Sequence, residues 1–191
     1  DLHISNVGGE LVSIVRAEGL KEERSRSFNA SVDWYHYFGD FQANLLVEGF
    51  YTKLSDPFVL TPPVKDPDGS AYLIQTRING SGAKVYGGTL EGKVAYKDKV
   101  QLQAGLTLQR SIYDSPEEWS ADEEHLSEKE RYSDKILRTP DVYGYFTATY
   151  MPVKAFSIAL NGNYTGRMYV PHLLSEVNGE ADVLVKSPGL F

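Results

Sequence analysis

Residues 100–109 read Val-Gln-Leu-Gln-Ala-Gly-Leu-Thr-Leu-Gln, and oily and wet positions alternate there without a fault. Successive side chains of an extended chain point to opposite faces, so a period of two predicts a strand with one apolar and one polar side. The preceding stretch answers it. Tyr86, Gly88, Leu90, Gly92, Val94 and Tyr96 share one face, while Val85, Gly87, Thr89, Glu91, Lys93 and Ala95 share the other. A polar turn, Lys97-Asp98-Lys99, joins the two runs, so 85–112 is predicted to be one hairpin. Its arms are far longer than the usual strand of about five or six residues.

The pattern recurs along the chain. Long strands are predicted over about 24–37, 41–54, 85–96, 100–112, 140–151 and 155–169. On the first, Phe28, Ala30, Val32 and Trp34 oppose Asn29, Ser31 and Asp33. On the second, Phe41, Ala43, Leu45, Val47, Gly49 and Tyr51 oppose Gln42, Asn44 and Glu48. On the last, Phe156, Ile158, Leu160, Gly162 and Tyr164 alternate with Ser157, Asn161 and Asn163. Phe38-Gly39-Asp40 and Pro152-Val153-Lys154 read as tight turns.

Two long connections, 55–84 and 113–139, separate these hairpins. In the first, Pro62-Pro63 and Asp66-Pro67-Asp68-Gly69 carry turn chemistry and split 58–61 from 71–77, a predicted accessory hairpin. In the second, Ser115-Pro116-Glu117-Glu118 and Ser120-Ala121-Asp122-Glu123 fit the capping-box pattern and predict one or two short helices. Residues 1–22 read as loop, with a short strand at 11–15 after Gly8-Gly9. No helix of crossover length intervenes. The fold class is therefore all-β: an antiparallel up-and-down meander of about six long strands, with a small hairpin and a short helix in the loops.

Composition narrows the function. A net charge of -7 without a basic stripe argues against a nucleic-acid partner. Zero cysteines exclude disulfides, a thiol catalyst and a thiolate metal site. No nucleophile–base set or phosphate loop is present, so no enzyme activity, cofactor or metal is expected. Asp1-Leu2-His3 lacks the charged start and apolar core of a signal peptide, so a processed or cut end is expected there. No apolar run approaches the roughly 20 residues of a membrane helix, although barrel strands leave only an alternating trace.

Aromatics bracket the apolar faces at Phe41 and Tyr51, at Tyr86 and Tyr96, and at Phe156 and Tyr164. Ten residues at about 3.3 Å each span about 33 Å, which a tilt of about 40° projects to about 25 Å. That is the height of the lipid-facing band of an outer-membrane barrel, whose turns are short on one side and whose loops are long on the other. A closed six-stranded barrel would have no room for Tyr35, Tyr37, Tyr143, Tyr145, Gln101, Gln103, Glu48 and Glu91, so the chain reads as a sector of a larger one. The alternative is a soluble β-rich binding or adhesion module whose apolar face packs on a core, since such a sheet shows the same alternation.

Five stretches, in order over about 20–171, carry a family resemblance. They are Gly19-Leu20-Lys21-Glu22-Glu23-Arg24-Ser25, Phe50-Tyr51-Thr52-Lys53-Leu54-Ser55-Asp56-Pro57-Phe58, Asn79-Gly80-Ser81-Gly82-Ala83-Lys84-Val85-Tyr86-Gly87-Gly88-Thr89-Leu90-Glu91, Arg138-Thr139-Pro140, and Tyr164-Thr165-Gly166-Arg167-Met168-Tyr169-Val170-Pro171. In turn they resemble a strand entry, a strand exit, a strand and two patterns near the end of the barrel in TonB-dependent outer-membrane receptors. The resemblance implies a 22-stranded barrel plugged by a separate domain, importing a scarce ligand such as a ferric siderophore, haem, cobalamin or glycan with energy from TonB. Plug and TonB box are expected outside these residues. The implied partners are outer-membrane lipid, an extracellular small-molecule ligand and, through parts outside this chain, TonB. On its own the segment is expected to hide its apolar faces by curling or by pairing with another copy.

Candidate contacts follow from the two wet regions. Gln101, Gln103, Gln109, Asn161 and Asn163 fall on polar faces and are expected to line the lumen. Glu123, Glu124 and His125 are the candidate contacts of the acidic loop 113–139, although charge runs more often simply solvate a loop.

Overall fold

The alternation over 100–109 becomes a strand near the middle of a seven-stranded sheet, beside which the chain forms two smaller sheets. The computed structural model describes residues 3–7, 10–61, 64–65, 73–120, 122–172, 174 and 179–190. In chain order the strands are β1 (His3–Val7), β2 (Glu10–Arg16), β3 (Arg24–Phe38), β4 (Phe41–Ser55), β5 (Phe58–Leu60), β6 (Val64–Lys65) and β7 (Leu73–Asn79). They continue as β8 (Ala83–Tyr96), β9 (Val100–Glu118), helix α1 (Glu128–Arg131), β10 (Tyr132–Lys135), β11 (Val142–Val153), β12 (Phe156–Thr165), β13 (Tyr169–His172) and β14 (Val183–Lys186).

The six long strands lie in the order β12-β11-β9-β8-β4-β3, and every neighbouring pair is antiparallel. The expected meander is what the chain forms. It does not close: β3 and β12 are the two edges of the sheet. All three tight turns sit at one end. Gly39, at φ 63, supplies the left-handed conformation of the first, where a Cβ would be strained.

Register sets the outward side chains in rows. One row holds Val32, Val47, Leu90, Leu106, Gly144 and Tyr164. At the turn end a row holds Phe38, Phe41, Tyr96, Val100, Tyr150 and Ile158. Ring contacts run along it, with Phe38 at 6.4 Å from Phe41 and Phe41 at 4.7 Å from Tyr96. At the loop end Phe28, Tyr51 and Tyr86 share a row, and the two tyrosines lie 6.5 Å apart.

The third predicted bracket is corrected by the register. Tyr164 lies in the Leu106 row, inside the Phe28–Tyr51–Tyr86 row, and Phe156 lies beyond Ile158. Both ends of the band thus shift the same way from β3 to β12. Strands tilted to a barrel axis produce that stagger.

No described residue covers the apolar rows. Val32 is 71 % exposed, Leu90 52 % and Leu160 61 %, and among the described residues the hydrophobic core consists of Ala83. The expectation that the faces would curl onto one another is therefore overturned. A soluble sheet needs a second layer on its greasy side, and the described residues supply none.

Above the loop end the chain departs from its predicted map. β9 continues to Glu118, six residues past the predicted end at 112, because β10 pairs with it there, Tyr132 opposite Glu118 and Lys135 opposite Ile112. Ser115-Pro116-Glu117-Glu118 is consequently strand, not helix start. Its groups serve the neighbouring loop instead: the Ser81 N–H donates to Glu117 Oε1 at 2.8 Å and the Ser81 hydroxyl to the Ser115 carbonyl at 3.0 Å. The helix that does form starts one motif later, where the Ser127 N–H donates to the Glu130 carboxylate at 3.0 Å. Ala121 of the second predicted box, Gly8-Gly9, Pro62-Pro63, and the turn residues 66–69 lie outside the described residues.

The accessory hairpin exists as β5 against β7, Phe58 opposite Asn79. It is part of a larger sheet in the order β1-β2-β7-β5, and β2 runs parallel to β7. That parallel pair was not expected of an all-antiparallel chain. Asn79 anchors the sheet to the wall: its amide donates to the carbonyls of Lys21 at 3.0 Å and Asp56 at 2.8 Å.

Candidate functional site

The inward face of the long sheet is where a solute could be met. Register gathers two polar rows there. One runs Tyr35, Asn44, Lys93, Gln103, Thr147, Asn161, and the next runs Asp33, Leu46, Glu91, Gly105, Tyr145, Asn163. Strands lie about 4.8 Å apart, so Gln103 and Asn161, two strands apart in one row, stand side by side about 10 Å apart with Thr147 between them. Gln101 sits one row nearer the turns, opposite Ala95 and Thr149.

Side chains in these rows are held by one another. The Gln103 amide donates to Glu91 Oε1 and to the Tyr145 hydroxyl, both at 2.9 Å, and the Tyr145 hydroxyl donates to Glu91 Oε2. Further along the wall, Tyr35 donates to Asp33 Oδ2 at 3.0 Å and the Asn44 amide donates to Asp33 Oδ1. Thr89 and Thr107 share a hydroxyl contact at 3.0 Å. Fixed donors and acceptors on strands make a more precise contact surface than mobile ones on loops.

The five predicted lumen residues do share this face, yet they do not act alike. Gln109 is engaged elsewhere, its amide donating to the Pro140 carbonyl at 2.9 Å, where it holds the loop entering β11. Gln103 is already bound to Glu91 and Tyr145. Asn161 and Asn163 are exposed near the edge strand β12. Sequence reasoning missed the contact-forming role of Glu91 and Tyr145. The signal was present: both lie inward of a long strand and flank Gln103 by register.

The acidic loop is likewise organised differently from its charge pattern. Glu123 and Glu124 are exposed, and Glu123 reaches Arg131 at 3.4 Å. His125 is committed, its Nδ1 lying 2.9 Å from Asp122 Oδ1. Around Asp122 a buried cluster ties two loops together. The Ser120 hydroxyl donates to Asp182 Oδ2 at 2.6 Å, the Asp182 N–H donates to Asp122 Oδ2 at 3.1 Å, and the Leu174 N–H donates to Asp182 Oδ1 at 2.7 Å. Asp122 and Asp182 lie sixty positions apart in sequence, so no local pattern announced the pairing.

Charge in this cluster makes the tie pH-dependent. The Asp122 carboxylate raises the His125 ring above its ordinary value of 6.5. Burial pulls Asp122 upward, but the Asp182 N–H and then His125 outweigh it and hold the carboxyl below 3.8. A raised imidazole contributes fully below its unfolded value and is lost as pH climbs through the raised one; a lowered carboxyl contributes above its unfolded value and is lost as pH falls through the lowered one. The tie is therefore tightest between the two. Hydrogen exchange at the His125 and Asp182 amides of the intact protein should show greater protection at about pH 5.5 than at about pH 8.5 or pH 2.5. Equal protection across that range would remove the electrostatic account.

The sequence model of one family, described as TonB dependent receptor-like, beta-barrel, matches residues 6–183. Searching curated proteins gives no match. Among solved structures, the FrpB iron transporter from Neisseria meningitidis (F3-3 variant) is similar at 15 % identity and a TM-score of 0.55, over 95 % of this chain and 25 % of that one. Its F5-1 variant is similar at 19 % identity and a TM-score of 0.53, over 93 % and 24 % of the two chains. The apoprotein form of that variant gives 18 % identity and a TM-score of 0.52 over the same shares. The chain thus spans about a quarter of the length of these structures, and at such identities the likeness is one of fold.

Proposed function

Because the chain belongs to the TonB-dependent receptor-like β-barrel family, we propose that it is a sector of the wall of an outer-membrane receptor that imports a scarce ligand. The carrying observation is the two-sided sheet. Its outward rows are apolar and exposed, with aromatics at both ends on β3, β4 and β8, while its inward rows hold a fixed hydrogen-bonded surface. In this reading the turns are periplasmic, the loops extracellular, and the wet face lines the lumen.

The ligand is of the class carried by such receptors: ferric siderophore, haem, cobalamin or glycan. The similar structures are of iron transporters, which favours an iron-bearing ligand among these. Energy would come from TonB through parts of the receptor outside this chain. Glu91, Gln103 and Tyr145, with Asn161 and Asn163, offer the solute mixed donors and acceptors; the loop cluster around Asp122 shapes the entrance.

The test uses the whole receptor that carries this segment. Deleting its gene should abolish uptake of one labelled iron chelate or haem by iron-starved cells, and loss of TonB should do the same. Recovery of the whole protein in the aqueous fraction without detergent would overturn the reading.

A further inference from the structure

Beyond the band, the outward face changes chemistry in one step. Moving toward the loops, the next outward residue after Phe28 is Arg26, after Tyr51 Lys53, after Tyr86 Lys84, and after Leu108 Arg110. Four adjacent strands thus each end their apolar run on a cation: Arg26, Lys53 and Lys84 share one row, and Arg110 stands one row nearer the turns, opposite Tyr86. Inward neighbours at the same height are uncharged: Ser25 and Ser27, Thr52 and Leu54, Ala83 and Val85, Gln109 and Ser111. Charge is confined to the side that the apolar band faces.

From this placement we propose that Arg26, Lys53, Lys84 and Arg110 form a belt that binds the phosphate-bearing headgroups of anionic lipids in the leaflet on the loop side. The proposal rests on the membrane reading above. Continuity argues for lipid as the occupant, because on β3, β4 and β8 the belt begins one side-chain repeat, about 6.6 Å, beyond the aromatic row, and on β9 Arg110 stands in that row itself, opposite Tyr86. Charge complementarity argues for phosphate. Arg26 and Arg110 are exposed and make no ion pair among the described residues, and a guanidinium fork matches phosphate oxygens. Lys53 and Lys84 both reach Asp114, each at 3.1 Å. One carboxylate between two ammonium groups fixes their spacing and leaves net positive charge, and each ammonium keeps further N–H donors for a headgroup.

At the turn end the arrangement differs. There the cations Lys97, Lys99 and Lys154 sit in the turns rather than as a row of outward strand residues, and Lys97 is closed by Asp40 at 2.9 Å. The asymmetry gives the belt a direction.

The experiment folds the whole receptor into vesicles of phosphatidylcholine, alone or with about one third phosphatidylglycerol, and measures lipid selectivity with spin-labelled lipids of both kinds. The wild type should prefer the anionic lipid, and salt near 1 M should erase the preference. Arg26→Gln with Arg110→Gln should weaken it by up to about fivefold per charge removed. Adding Lys53→Gln, Lys84→Gln and Asp114→Asn together should abolish it without leaving a lone carboxylate. Lys129→Gln, on α1 beyond the far end of β9, should leave selectivity unchanged. If wild type and belt variants insert equally and show the same selectivity, the belt is overturned while the membrane reading stands. If the receptor enters neither vesicle, both fall together.

Discussion

Leu106→Arg should cost about 2–4 kcal/mol of folding free energy in a bilayer, whereas Gln103→Arg should leave stability nearly unchanged. Leu106 stands in the row of Val32, Val47 and Leu90, midway between the two aromatic rows, and its side chain points outward and is exposed. A guanidinium there must leave water for hydrocarbon or drag water inward. Gln103 points the other way, three residues earlier on the same strand, beside Glu91. An arginine at that position keeps the donor and gains an opposite charge. Urea titration of the whole receptor in lipid vesicles reads both variants. Equal cost at the two sites would mean that the outward face is a packed interior, and the receptor reading would fail.

Gly105→Ala should lower stability by about 1–3 kcal/mol and dissolve the inward network at the same time. Gly105 faces Tyr145 across the β9–β11 pair, and a Cβ built on it lies 2.5 Å from the tyrosine ring. The ring must swing away, and the hydroxyl that joins Gln103 to Glu91 goes with it. Adding Tyr145→Ser removes the ring that clashes. The double variant should recover most of the packing loss of the single one, although the Glu91 contact stays broken. Full additivity of the two substitutions would show that ring and glycine do not touch.

The long strands were legible because their physics is local. Period-two alternation at residues 100–109, and its echo at 85–96 and 41–54, needs no distant partner to be recognised. Gly39 announced its turn in the same way, and the structure gives it the positive φ that such a turn uses. The β9 extension was not legible. Ser115-Pro116-Glu117-Glu118 carries a genuine helix-start pattern, but pairing with Tyr132 and Ser133 outweighs a local preference worth only a few tenths to one or two kcal/mol. Likewise β2 joins β7 in parallel across the whole of β3 and β4, a contact between Val12 and Leu73 that no turn signal encodes.

Of the candidate site, sequence located the surface and structure decided the roles. Alternation alone put Gln101, Gln103, Gln109, Asn161 and Asn163 on one face, because parity along a strand is fixed by backbone geometry. Which of them remain available is a matter of cross-strand and loop contacts: Gln109 holds Pro140, and Gln103 is shared between Glu91 and Tyr145. His125 is tied locally, to Asp122 three residues before it, but the burial of that pair against Asp182, sixty residues on, is a long-range contact. Strand parity is written in neighbouring residues; the partner of a polar group is chosen by whichever distant segment the sheet register delivers beside it, and only the folded chain determines that.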